Sequence, residues 1–371
     1  MLPLFFAVGV IFAPIGGLLL WASSKVQELA IDYSRCNTTA PTCQGNTGFG
    51  PIPSDAINSY FKNQTDPDQA PTWCREHTNV AGNGSLQIPT DVCRVQFYIP
   101  DRLTPPVLLY YQLTNFYQNH RRYVKSFDQD QLDGKYRDNS TIDGSDCDPL
   151  KLNDQGIAYY PCGLIANSQF NDTIFAPVAL NWPGANGNYN YTMSTDNIAW
   201  DSDKELYQNI DTDTYPYGSV VPPPFWQARY PVYNETFPYP DLHNDQAFQV
   251  WMRTAGLPTF SKLSQRNDTV AMEPGRYEVR IYDCRCILSS GCDLLPVLTL
   301  LKTSQSSPTT ARNPFSSPPV LSWVARIRSW ALPILSSAVS AFCLVRFSQL
   351  PTLSGPGKRT SHPLASHSHK E

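Results

Sequence analysis

The densest run of side chains able to do chemistry is residues 110–126, YYQLTNFYQNHRRYVKS. It holds five aromatics, four amides, one His, two Arg and one Lys in seventeen positions. Arg121, Arg122 and Lys125 could meet phosphates while Tyr117 and Tyr123 stack on bases, as in a nucleic-acid reader. The flanking cysteines and N-x-S/T sequons argue against that partner, because both belong to an extracytoplasmic domain, and no nucleic acid is expected. Two readings remain for this segment. One is a buried strand, residues 107–113, running into a polar loop whose Asn, Gln and Arg side chains brace nearby backbone. The other is a surface shaped to grip a partner.

No catalytic constellation is legible. The sequence contains no phosphate-binding P-loop, no G-x-S-x-G, no H-E-x-x-H and no dinucleotide-binding glycine pattern. His120 stands beside Arg121 with neither a nucleophile nor a carboxylate in its motif, so it reads as structural. Asp201 and Asp203 have the pairing a glycosidase needs, yet in the turn-rich IAWDSDK they read as solvated turn residues. The acidic stretch 128–148 lacks the ligand spacing of an EF-hand, and it reads as a loop. No metal and no cofactor are expected.

The elements that must position these residues follow from composition. Thirty-three Pro and twenty Tyr, against 16% charged residues, describe a loop-rich, mainly β protein, with antiparallel sheets in a sandwich-like ectodomain and few helices. The net charge of -4 is too small to imply a charged partner. Residues 2–23 carry no ionisable side chain, a length that can cross a bilayer core of about 30 Å. No basic n-region or convincing cleavage site marks them as a signal peptide, so residues 1–24 are expected to be an uncleaved transmembrane helix, with Pro14 and Gly16–Gly17 able to bend it.

Eight sequons follow, at Asn37, Asn63, Asn83, Asn139, Asn171, Asn190, Asn234 and Asn267, and their number makes residues 25–283 a glycosylated lumenal or extracellular domain. Six cysteines share that span: Cys36, Cys43, Cys74, Cys93, Cys147 and Cys162. Their spacing suits no zinc site, so disulfides are expected, and six thiols allow fifteen pairings. Residues 86–100 alternate as a strand, PGRYEVRIY alternates as a final strand, and residues 245–256 have helical spacing, with Asp245 as cap and Pro258 as stop.

Five runs, NFYQNHRRYVKS, PCGLIANSQFNDT, IAWDSDK, VWMRTAGLPTFSKL and PGRYEVRI, resemble in order the ligand-effect-modulator and cell-division-control family. Its members are accessory β-subunits of the type IV P-type ATPases that flip phospholipids. The long Pro-rich inserts resemble fungal members, and the resemblance extends to about residue 283. It implies a non-catalytic subunit that binds an ATPase α-subunit as a heterodimer at the membrane, assists its folding and exit from the endoplasmic reticulum, and supports lipid transport. It also implies the pairs Cys147–Cys162, Cys36–Cys93 and Cys43–Cys74. On this reading Asn115, Tyr117, Gln118, Asn119, His120, Arg121, Arg122 and Tyr123 face or support the partner. Trp251 and Phe260 pack internally, and Asn171 is the foremost glycan carrier. The alternatives are another membrane-anchored ectodomain: a ligand-gated channel subunit or a carbohydrate-binding protein.

The family pattern departs at both ends. Its basic N-terminal tail is missing, and after residue 283 the expected strand and second strong span do not appear. Residues 330–345 are a weak apolar run, and RNPF at 312–315 lacks the two glycines of the family's helix entry. Reading each shifted codon as the last base of one codon and the first two of the next, residues 302–315 can yield D-F-P-V-I-S-Y-D-G-T-K-S-I. Residues 322–334 can likewise yield M-G-G-K-N-P-F-L-G-I-A-Y. Residues 284–301 are therefore expected to translate a retained intron and residues 303–371 to be out of frame. That leaves Cys284, Cys286, Cys292 and Cys343 outside the disulfide scheme and removes the second anchor.

Overall fold

Residues 87–99 put Cys93, Val95, Phe97 and Ile99 on one face of an extended chain, and that face becomes the centre of the core. The computed structural model describes residues 9–10, 12–18, 21, 26–63, 67–82, 86–180, 187–283 and 320–323. Its strands are β1 (Glu28–Asp32), β2 (Gly50–Pro51), β3 (Ile57–Tyr60), β4 (Thr72–Ala81), β5 (Gln87–Ile99), β6 (Val107–Leu113), β7 (Ala158–Tyr159), β8 (Thr173–Ile174), β9 (Val178–Leu180), β10 (Tyr189–Asn190), β11 (Val220–Val221), β12 (Phe260–Asn267), β13 (Gly275–Asp283) and β14 (Val320–Trp323). One sheet runs β12-β6-β14-β1-β3 and a second runs β10-β9-β13-β5-β4-β2, with β8 also on β13. Both are antiparallel throughout, whereas the small pair β7 and β11 is parallel.

The register explains the core. Val279 lies opposite Val95, Tyr277 opposite Phe97 and Ile281 opposite Cys93, so one face of the β13–β5 pair is apolar. The same buried cluster takes in Leu29 and Ile31 of β1 and Val107, Leu109 and Tyr111 of β6. The reverse face of β5 and β13 carries a buried ion pair, Arg94 to Glu278 at 2.9 Å. Gln96 and Arg280 also donate to the Glu278 carboxylate, at 2.9 and 3.2 Å. Arg94 further donates to the Gly45 carbonyl at 2.5 Å and to Asn46 Oδ1 at 3.2 Å, which pins the loop after Cys43 over the sheet. Burial opposes ionisation of Glu278, but the Arg94, Gln96 and Arg280 hydrogen bonds outweigh it and hold the carboxyl below its usual range.

The helices differ from expectation in detail. The helix expected over 245–256 spans Gln246–Met252, started by the Asp245 side chain on the Phe248 N–H. It stops early because Lys262 donates to the carbonyls of Val250, Trp251 and Arg253, taking acceptors that a longer helix would have used itself. The stretch read as a loop over 128–148 contains two helical turns, Gln129–Leu132 and Asn139–Asp143, capped by Asp128 and Asp138. The strand expected to be last, β13, is followed by β14. β14 pairs with β1 and β6 inside the tail expected to be out of frame.

All sheets lie in the unit Gln27–Ala325; in the other unit the described residues 9–10, 12–18 and 21 are helical. Val10, Phe12, Ile15, Leu18 and Trp21 are exposed there. Among the described residues no helix is long and apolar enough to cross a membrane, and part of the span expected over 1–24 lies outside them. The run 330–345, Asn83 and the four cysteines after residue 283 also lie outside the described residues.

Candidate functional site

Phe116 is the pivot of the candidate surface. Its ring sits edge-on to Tyr123, Trp251 and Phe260 at centroid distances of 5.9, 5.7 and 6.2 Å, and its N–H donates to the Pro258 carbonyl at 3.0 Å. Gln118 is fully buried beside it and accepts the Ala255 N–H at 2.9 Å. Tyr123 hydrogen-bonds Ser168 at 2.8 Å, and Trp251 Nε1 donates to the Ile165 carbonyl at 2.8 Å. Segments 115–126, 161–173 and 250–263, far apart in sequence, thus share one small core. Burial pushes the Tyr123 hydroxyl up to about 12 despite the hydrogen bonds from Ser168 and Gln118, so it stays a neutral phenol at physiological pH.

Two devices clamp this core. Gly163 has φ +96, and a Cβ there would lie 2.1 Å from the Ser126 carbonyl oxygen, so no other residue fits. Ser126 Oγ accepts the Leu164 N–H and donates to the Asp148 carbonyl, while the Cys147–Cys162 disulfide closes the intervening loop. Lys262 is the second clamp. Burial, with a smaller contribution from Arg253, pulls its pKa down to about 7, yet three carbonyl oxygens at 2.6 to 2.8 Å each take one ammonium hydrogen.

The outward face is different. Asn115, Tyr117, Asn119, His120, Arg121, Arg122, Val124 and Lys125 are exposed, the cations on the short helix Arg121–Lys125. Arg121, Arg122 and Lys125 form no ion pair among the described residues, unlike most other cations of the domain. Gln118 and Tyr123, expected to share the surface, lie inside it and brace it, because their polar groups are spent on Ala255 and Ser168.

The same face extends through residues that the sequence reading missed. Asn119 donates to the Gly256 carbonyl at 3.1 Å, and Leu257 beside it is 69% exposed. The Arg253 guanidinium lies 3.6 Å above the Trp200 ring, itself 64% exposed, and contacts Asp203 at 3.4 Å. Asp203 is therefore turned inward as a partner of Arg253, while Asp201 stays in solvent, so the two do not act as a carboxylate pair. The missed signal was a Trp placed directly before a polar helical turn.

The remaining expected site residues are spread over the domain. Cys36 bonds Cys93 and Cys43 bonds Cys74, with Cα separations of 6.0 and 5.1 Å. Asn139, Asn171 and Asn190 are exposed, and Asn37 and Asn234 are half-buried. Asn63 is exposed but gives its side-chain amide to Asp101, while Asn267 is buried and donates Nδ2 to the Thr192 carbonyl at 2.6 Å. Asn267 reads as a poor glycan carrier, since its amide nitrogen faces inward. Among the described residues no group of His, Cys, Asp and Glu is placed to hold a metal ion.

Comparison with known proteins gives this geometry a context. Residues 19–284 match the LEM3 (ligand-effect modulator 3) family / CDC50 family. The phospholipid-transporting ATPase accessory subunit CDC50 of Chaetomium thermophilum is 40% identical over 284 residues, 75% of this chain and 68% of that protein. The phospholipid-transporting ATPase accessory subunits CRF1 and LEM3 of Saccharomyces cerevisiae are each 37% identical, over 74% and 76% of this chain and 65% of each relative. The chain spans about two thirds of the length of these relatives.

Proposed function

The chain belongs to the LEM3 (ligand-effect modulator 3) family / CDC50 family, and on that premise we propose that it is a non-catalytic β-subunit of a phospholipid-translocating P-type ATPase. In this reading it forms a heterodimer with the α-subunit, assists that subunit's folding and exit from the endoplasmic reticulum, and supports lipid transport. The observation that carries the reading is the face made by Arg121, Arg122, Lys125, Tyr117, Leu257 and Trp200. Its cations form no ion pair among the described residues and its aromatics are exposed, while a rigid core of the matched segments holds them in place. Exposed Arg and aromatic anchors on a pre-organised scaffold are what a stable protein interface uses.

The anchoring and the compartment belong to the same proposal. The exposed apolar residues Val10, Phe12, Ile15, Leu18 and Trp21 favour lipid around a helix over 1–24. Three disulfides and exposed sequon asparagines favour a lumenal or extracellular position for residues 25–283 in the secretory pathway. Two antiparallel sheets feeding one buried cluster favour a sandwich-like arrangement. Affinity isolation of the full chain from native membranes tests the whole reading. A large P-type ATPase should come down with it in near-equal amount. A chain that comes down alone, or with a channel subunit, would end the proposal, and sugar binding by the domain would favour a lectin.

The tail is proposed to be a translated intron followed by out-of-frame sequence. In support, the family match stops at residue 284, directly after β13. β14 sits between β1 and β6 through backbone pairing, a place that any extended segment can fill.

A further inference from the structure

A cavity of about 310 Å³ opens beside the helical turn Asn139–Asp143, and its lining includes Tyr136, Arg137, Asn139, Ile157, Tyr215 and Ser219. One of those residues is itself a sequon asparagine. We propose that this cavity seats the first N-acetylglucosamine of a glycan carried by Asn139, so that the sugar is a packed part of the domain and not a solvated appendage. The inference rests on the lumenal reading of residues 25–283.

Four observations converge on it. Asn139 Oδ1 accepts the Ala158 N–H at 3.0 Å, which fixes the side chain. Its Nδ2 has no partner among the described residues and is left for the glycosidic bond. In contrast, Asn63 gives its amide nitrogen to Asp101 and Asn267 gives its own to Thr192. Tyr136 is 58% exposed at the cavity, with its ring centroid 5.2 Å from that of Tyr215, and such rings offer the flat apolar face that a pyranose covers. The Nε–H of Arg137 is buried with no hydrogen-bond partner, although its other guanidinium nitrogens reach Asp128 and Asp130. A buried donor without an acceptor is costly, and a sugar hydroxyl or acetamide oxygen supplies one.

The modification itself is ordinary transfer from a polyprenyl-diphosphate-linked oligosaccharide before the chain folds. Asn139 Nδ2 attacks the anomeric carbon of the donor's first sugar; the C–N bond forms as the C–O bond to the diphosphate breaks. The diphosphate leaves with that electron pair, and the amide proton passes to a base.

The test uses the full-length glycoprotein in detergent, treated natively with peptide-N-glycosidase in heavy-oxygen water so that each released asparagine is marked as aspartate. Release at Asn139 should be about tenfold slower than at Asn171 and Asn190, equivalent to about 1.4 kcal/mol of local opening, and the difference should vanish on unfolding. Tyr136→Ala, at an exposed position, should bring Asn139 to the rate of the others. Equal native rates, or an unchanged rate in Tyr136→Ala, would overturn the seat. A bare Asn139 beside occupied Asn171 or Asn190 would overturn this inference alone, and eight bare sequons would overturn the lumenal reading with it.

Discussion

Arg121 and Arg122 show how differently neighbouring residues of one helix can act: both are exposed and form no ion pair among the described residues, whereas Tyr123 is locked into the core. Replacing both with Ala should leave the melting temperature of the domain unchanged, because exposed side chains outside caps and cores shift stability by only about 0.5 kcal/mol. Recovery of the α-subunit should fall by about tenfold, the loss of one or two interface anchors. Trp200→Ala should act in the same direction. Normal recovery in both variants would remove the interface assignment. Glu278 sets a pH dependence instead. Its folded carboxyl titrates below the ordinary value of 4.5, so the stability it contributes is present above that value. As pH falls below 4.5 the unfolded chain takes up the proton first, and the contribution is lost through the folded pKa. Glu278→Gln should cost about 3 kcal/mol at neutral pH by leaving Arg94 under-compensated, and should flatten the acid limb of the unfolding curve. An equally steep acid limb in the variant would mean that other carboxylates control it.

The helix Gln246–Met252 ends on Lys262, so Lys262→Met should leave three carbonyls without donors and cost about 2 to 3 kcal/mol in chemical denaturation. An unchanged midpoint would show that water replaces the ammonium there. The loop closed by Cys147 and Cys162 holds Gly163 against Ser126, and Cys147→Ser should cost about 2 to 5 kcal/mol. Because a subunit destabilised to that degree is retained by quality control, its glycans should stay in the immature form, as a mobility shift on a gel would show. Mature glycans at normal yield would mean that the loop stands without its disulfide. At this scale much was legible in advance. The alternation of residues 87–99, the Asp245 cap and the aromatic run of β6 each use near neighbours, and local patterns record near neighbours well. The early stop of the helix was not, because the residue that ends it belongs to the following strand.

At the scale of the whole molecule, the change of frame proposed for residues 303–371 would remove a second anchor. Complementary DNA from the native source should splice out the codons of residues 284–301 and restore a second apolar span. Unspliced reads together with tail peptides in mass spectra would establish the present tail as real. The sequence alone determined what depends on residue type and order: a mainly β character, an apolar first segment, six cysteines among eight sequons, and the five runs that mark the family. Tertiary structure alone decided that, of the seven sequons among the described residues, Asn63 and Asn267 spend their amide nitrogens on Asp101 and Thr192, and that Asp203, rather than Asp201, serves Arg253. It also decided that Trp200, Arg253 and Leu257 join the face begun by Arg121. The physical reason is distance along the chain. Charge, burial and hydrogen-bond pairing are settled by neighbours in space, and here those neighbours are separated by fifty to more than a hundred residues.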